Sequence, residues 1–251
     1  MQSQSVCATI RRWQPAVYIE CGVPYMMTNI PWADILPAAV AVALSPVPIM
    51  AAILALFGQH PRQNGLSFLV GWVAGLAALA VLLLFFVDLG KMQFTANWTP
   101  VVATVKLWLG LFFFVLAAVQ WRRRPRAGKA QPLPAWTARL ENFSPGQTLL
   151  VAIGLCVINP KNLTLTLAIL LALGEADLLA GQAVLGLAVF VVLGSLTIAV
   201  PVFYRIVAGA EADAKLASSK TWLQAHSSTV MVVVFLLLGA LLFGRGLEGI
   251  L

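Results

Sequence analysis

Long uncharged apolar blocks alternate with short polar stretches along this chain. Six blocks, at about 34–57, 65–87, 100–121, 147–173, 179–204 and 228–244, have the length of a bilayer crossing, which takes roughly 17–25 residues of helix. The pattern predicts an all-α polytopic membrane protein with six transmembrane helices. Composition removes the alternatives. Of 251 residues, 61% are apolar and 10% charged. Soluble domains sit near 45–50% and about 25%. A disordered chain, a coiled coil and an ordinary soluble enzyme are excluded.

Charge sets orientation. The net charge is +7, but the basic residues flank the apolar blocks, so they point to topology and not to a nucleic-acid partner. The third connection carries Arg122, Arg123, Arg124, Arg126, Lys129 and Arg139 against Glu141. By the positive-inside rule this basic loop, 122–146, is cytoplasmic. Alternation then puts the loop with Arg62 and the loop with Arg205, Lys215 and Lys220 inside. The loop with Asp88 and Lys91, the loop with Glu175 and Asp177, and both termini lie outside. Trp32, Trp98, Trp121 and Trp222 fall at block edges, where amphipathic rings favour the interface. Within the basic loop, Trp136, Leu140 and Phe143 recur at helical spacing, which fits a short interfacial helix or a solvated loop with scattered apolar residues.

Residues 1–26 hold Arg11, Arg12, Cys7 and Cys21 and no continuous apolar stretch. They lack the apolar core of a secretory signal. They are expected to be a disordered tail or a segment ahead of the natural start, Met27. The three cysteines show no CxxC and no metal spacing, and no cofactor is expected.

The two halves, 27–121 and 147–251, carry matching breaks. The first block contains Ala43-Leu44-Ser45-Pro46-Val47-Pro48-Ile49. The fourth contains Val157-Ile158-Asn159-Pro160-Lys161-Asn162-Leu163. Each break is a small polar residue, then proline, then an apolar helix. With three blocks per half, the halves run in opposite senses, the sequence sign of two inverted three-helix repeats. Pro46, Pro48 and Pro160 offer no N–H to the carbonyls of Val42, Leu44 and Cys156. Bare backbone is tolerated in hydrocarbon only against protein or a wet cavity. Ser45, Asn159 and Asn162 can supply hydrogen bonds there, and the half-helix N-termini bring positive dipole ends. The bland alternative is a pair of structural kinks.

Lys161 weighs against that alternative, because a lysine near mid-bilayer costs about 2.5–3.5 kcal/mol. It is expected to face a polar cavity, or else to be tied to freed carbonyls of the first block. Lys106 is shallower and is expected to snorkel outward. No Asp or Glu sits at the centre of any block; Asp34 and Asp88 lie near the outer edge. A divalent-cation path would want carboxylates at its centre. This midplane suits an anionic group instead. The candidate substrate-binding set is Ser45, Pro46, Pro48, Asn159, Pro160, Lys161 and Asn162. Gly71 and Gly75 form a GxxxG face for close helix packing. His60 and His226 read as interfacial residues. No Walker loop, dinucleotide fingerprint, HExxH or catalytic triad occurs, so no enzyme activity is expected.

The two break motifs, together with Gly65-Leu66-Ser67-Phe68-Leu69-Val70-Gly71-Trp72, resemble the GAP-like (Sap, sulfolipid-addressing) family of the lysine exporter superfamily, over about residues 34–245. Ser45, Pro46 and Pro48 match the first motif of that family, and Asn159, Pro160, Lys161 and Asn162 match the second. The resemblance implies six spans in two inverted repeats, a bacterial inner membrane as the setting, and movement of an anionic envelope glycolipid toward the cell surface. Val47 stands where amino-acid exporters of the superfamily carry glycine. Cys156 has no counterpart in the first block, unlike the superfamily's thiol electron carriers. Two alternatives stand beside lipid export. One is export of amino acids or other small anionic or zwitterionic solutes. The other is a non-transporting accessory subunit of a glycolipid synthesis or export machinery. Expected partners are membrane lipids and an anionic amphiphile, with a second copy or a synthase or exporter as a further partner. A laterally open site favours lipid, and a site closed on its sides favours a small solute.

Overall fold

The computed structural model describes residues 29–89, 99–122, 124, 140, 142–176 and 178–250. The expectations for residues 1–26, Lys91, Trp98, Arg123, Arg126, Lys129, Trp136, Arg139, Glu141 and Asp177 lie outside the described residues, as do those for the side chains of Asp88 and Glu175.

The described residues form eight α-helices: α1 Trp32–Ala43, α2 Pro46–Ala55, α3 Pro61–Leu89, α4 Thr99–Arg122, α5 Pro145–Val157, α6 Pro160–Glu175, α7 Ala180–Ala208 and α8 Ala212–Glu248. A 3-10 turn, Gly209–Glu211, joins the last two. There is no strand among the described residues. Both sequence breaks are helix breaks. α1 and α2 meet at 50°, and α5 and α6 at 62°. In each, proline takes the first helical position, where its missing N–H costs nothing. Among the described residues, three helical stretches are long and apolar enough to cross a membrane, five if each bent pair is one crossing.

The longest stretch, Ala180–Glu248, is not one rod. Gly209 takes a left-handed φ of +58°, which glycine adopts without a Cβ clash. The chain folds back there, so that Arg205 Nε and Asp213 Oδ1 lie 3.0 Å apart. In a continuous helix these residues would be about 12 Å apart along the axis.

α8 starts at Ala212, well before the expected 228. Leu216 and Leu223, two turns apart, are buried, and Leu216 packs with Ile53 of α2 and Val202 of α7. The helix is extended by packing on its neighbours, which apolarity along the chain did not show.

The elements exchange partners between the halves. α5 lies along α3, α1 along α7, and α4 along α8. Gly71 and Gly75 permit the first contact. A Cβ on Gly71 would fall 2.5 Å from the Leu149 carbonyl oxygen, and one on Gly75 2.9 Å from Cys156 Cβ. The expected close-packing face is therefore real, and α5 is what it packs against. Trp72 Nε1 donates to Gly194 O at 3.3 Å, tying α3 to α7. Phe113 and Phe235, with ring centroids 5.8 Å apart, do the same for α4 and α8.

The outward surface is apolar. Leu150, Val184, Val200 and Leu237 are each about two-thirds exposed. That is the surface of a membrane protein, whose lipid-facing side chains need not avoid their solvent. Leu140 is fully buried in the core and Phe143 packs against it; Asn64 Nδ2 donates to Phe143 O at 3.0 Å. The end of the basic loop is thus tucked under the bundle. His60 and His226 are exposed, and His226 stacks on Trp222 at 4.7 Å.

Candidate functional site

The first break leaves the carbonyl end of α1 without its helical partners. Ser45 N–H turns back to Ala43 O at 2.8 Å, so the Ala41 carbonyl is vacated. Lys161 fills the gap. Its ammonium donates to Ala41 O and to Ser45 Oγ at 2.5 Å. Thr197 Oγ1, from α7, donates to Ala43 O at 2.6 Å. A cation at the C-terminal end of a helix is favoured by the helix dipole as well as by the hydrogen bonds. The lysine takes Ala41 O, one residue before the Val42 carbonyl that Pro46 was expected to free.

The second break is closed from within. Pro160 has no N–H for Cys156 O, and Asn162 Nδ2 donates to that carbonyl at 3.2 Å, as the sequence predicts. Asn159 Oδ1 accepts from Lys161 N–H at 3.0 Å and caps α6.

The structure brings Ser45 and Lys161 into direct contact, so the two breaks meet through one side chain. Ser45, Lys161 and Asn162 are at most 3% exposed. Pro46 and Pro48 are buried beside them, Asn159 is half-buried, and Pro160 lies at the surface. Of the two expectations for Lys161, the tie to carbonyls of the first block describes its ammonium, which is shut off from the exterior. Two buried oxygens one helical turn apart on α6, Asn162 Oδ1 and Thr166 Oγ1, have no hydrogen-bond partner.

Two apolar grooves open beside the breaks. One, of about 570 Å³, lies between α2, α7 and α8 and is walled by Ile49, Ile53, Thr197, Val200, Ser218 and Trp222. The other, of about 490 Å³, lies between α2 and α5 and is walled by Val47, Val151, Leu155, Ile158 and Asn159. Both are open to the exterior among exposed apolar side chains, Val200 and Trp222 at the first and Val47 and Ile158 at the second. Ile158, at the second break itself, is 81% exposed.

Sequence reasoning missed Thr197, a lone hydroxyl in an apolar block with no pattern to mark it. Lys106, expected to snorkel outward, is 9% exposed and lines a cavity between α1, α4, α6 and α8 at the end where α1 and α4 begin. Sequence reasoning did not foresee the cavity, because its walls come from four separate helices.

No curated protein and no solved structure matches the chain. A family model, described as Sap, sulfolipid-1-addressing protein, matches residues 35–248. That span takes in both breaks, both grooves and every helix pairing described above, and the chain belongs to this family.

Proposed function

We propose that the protein is a multi-pass exporter of the bacterial inner membrane that moves an anionic envelope lipid, of sulfolipid or glycolipid type, toward the cell surface. The observation that carries this reading is the pair of apolar grooves, about 570 and 490 Å³, that are open to the exterior beside the two breaks. A lipid can keep its chains in such a groove while its head group passes the polar breaks. A small solute would need walls on all sides, so the grooves argue against export of amino acids. The family description, sulfolipid-1-addressing protein, supports a lipid of this class.

In this reading α7 and α8 are separate crossings, which makes six, and the chain is two inverted repeats of the lysine exporter superfamily. The exchange of partners between halves supports it, since α5 on α3 and α1 on α7 are equivalent contacts. Loop 122–146 is cytoplasmic and both termini are outside. The oxyanion of the head group competes for the Lys161 ammonium. Release of Ala41 O and Ser45 Oγ uncouples the two breaks and frees one repeat to rock against the other. The protein performs no covalent chemistry.

Surface-lipid analysis of a deletion strain, complemented with wild type or Lys161→Ala, tests the reading. One anionic lipid should vanish from the surface, accumulate inside, and return only with wild type. Unchanged surface lipids would sink the proposal. Full rescue by Lys161→Ala, with loss of function on altering loop 122–144, would point to an accessory subunit instead.

A further inference from the structure

The cavity that holds Lys106 has a volume of about 350 Å³ and four charged side chains on its wall: Asp34 of α1, Lys106 of α4, and Arg245 and Glu248 of α8. Small residues, among them Ala103 and Ala172, leave the room. The cavity lies at the start of α1 and α4 and the end of α6 and α8, the face that the proposed orientation puts outside.

Beneath it a void of about 10 Å³ shares Asp34 and Lys106 and reaches Ala38, Leu165 and Ala168. Asp34, Ala38 and Ala41 follow one stripe of α1, which ends at Ala43. Lys161, Leu165, Ala168 and Ala172 follow one stripe of α6. The void reaches to within one helical turn of the Lys161 contact, and the cavity above it lies about two turns from Ala41 along α1 and about three turns from Lys161 along α6.

Arg245 is held loosely. Its Nε is 3.8 Å from Asp34 Oδ1 and its Nη1 4.0 Å from Glu248 Oε2. Both distances exceed hydrogen-bond range, so the guanidinium fork is attracted to the two carboxylates without being bound by either. Glu248 is mostly exposed, whereas the Asp34 side chain is only 15% exposed. With Glu248 turned to the exterior, the inner part of the cavity holds two cations, Lys106 and Arg245, against the single carboxylate of Asp34.

We infer that this cavity is a second binding site, for a sulfate or phosphate monoester, where the head group rests after leaving Lys161. Arg245 grips the oxyanion in its fork, and Lys106 approaches it from the adjoining helix α4. Asp34 holds the place of the oxyanion when the site is empty, and its return to Arg245 helps expel the ligand. The inference rests on the anionic-lipid reading above.

The test uses the full chain in a neutral maltoside detergent, titrated calorimetrically with octanoyl-sulfatide, with the unsulfated octanoyl-galactosylceramide as control. Arg245→Gln and Lys106→Gln should each weaken sulfatide binding about tenfold, the loss of one charge-assisted contact. Asp34→Asn should tighten it about threefold, because a competing carboxylate is removed; misfolding cannot produce a gain. Tightening together with displacement by inorganic sulfate marks the bare oxyanion as the ligand, and tightening without displacement marks the lipid. If Asp34→Asn weakens binding, or if both cation variants leave it unchanged while Lys161→Ala abolishes it, the second site is refuted and the export reading stands. No preference of the wild type for the sulfated lipid refutes both.

Discussion

Lys161 joins the two helix breaks through one side chain. A lysine at mid-bilayer costs about 2.5–3.5 kcal/mol on insertion scales, and here it is offset by two acceptors, Ala41 O and Ser45 Oγ. Lys161→Met keeps the volume and removes the donors. It should lower stability by about 1–3 kcal/mol, the cost of leaving buried acceptors bare, read as a fall in melting temperature of the detergent-solubilised protein. Thr197→Val removes a single neutral bond, to Ala43 O. Its cost should be smaller, about 0.6 kcal/mol and at most about 1.7, as for other interhelical bonds in membranes. Equal effects for the two variants would mean that the charge at the break adds nothing. The polar residues at the breaks were legible from proline spacing alone, because a missing N–H is a local fact. Thr197 was not, since its acceptor lies 154 residues away in the chain.

At the scale of elements, the breaks and the glycine faces divide the work. Ser45-Pro46 and Asn159-Pro160 bend two helices by 50° and 62°, and the freed backbone is met by side chains of the opposite break or of the same turn. Gly71 and Gly75 let α5 approach α3 until backbone meets backbone. Gly71→Leu should therefore abolish the folded, monodisperse species in size-exclusion chromatography, because the obstruction is the Leu149 carbonyl and not a side chain that can turn away. Gly154→Ala, on the open side of α5 with nothing within 4 Å, should be neutral or stabilise by up to about 1 kcal/mol. The GxxxG spacing announced a close contact but could not say with what. Element ends were also only partly readable: α8 begins at Ala212 because Leu216 and Leu223 find buried places on neighbouring helices, a gain invisible to a hydropathy window.

At the scale of the molecule, the halves are interlocked. The broken helix of each lies on the middle helix of the other, and α4 and α8 close the bundle. A chain split within loop 122–144 should still assemble. The two fragments, co-expressed with a tag on one, should co-purify, while either alone should be degraded or aggregate, since each exposes a glycine face cut to fit the other. Fragments that fold and purify singly would contradict the interlocked arrangement. The interlock also gives the breaks their meaning. Lys161 and Ser45 are 116 residues apart, and only the exchange of partners brings them together.

What the sequence determined by itself was whatever depends on near neighbours or on average polarity. The apolar blocks dictate a membrane helix bundle, because bare backbone in lipid has no other solution than helix or closed barrel. The prolines dictate where helices break. The tertiary structure decided the rest. It turned the Lys161 ammonium onto the end of α1, buried Lys106 beside Asp34, and left the grooves open to the exterior. Each of these depends on which faces meet across some seventy residues of chain or more, and no local pattern encodes that.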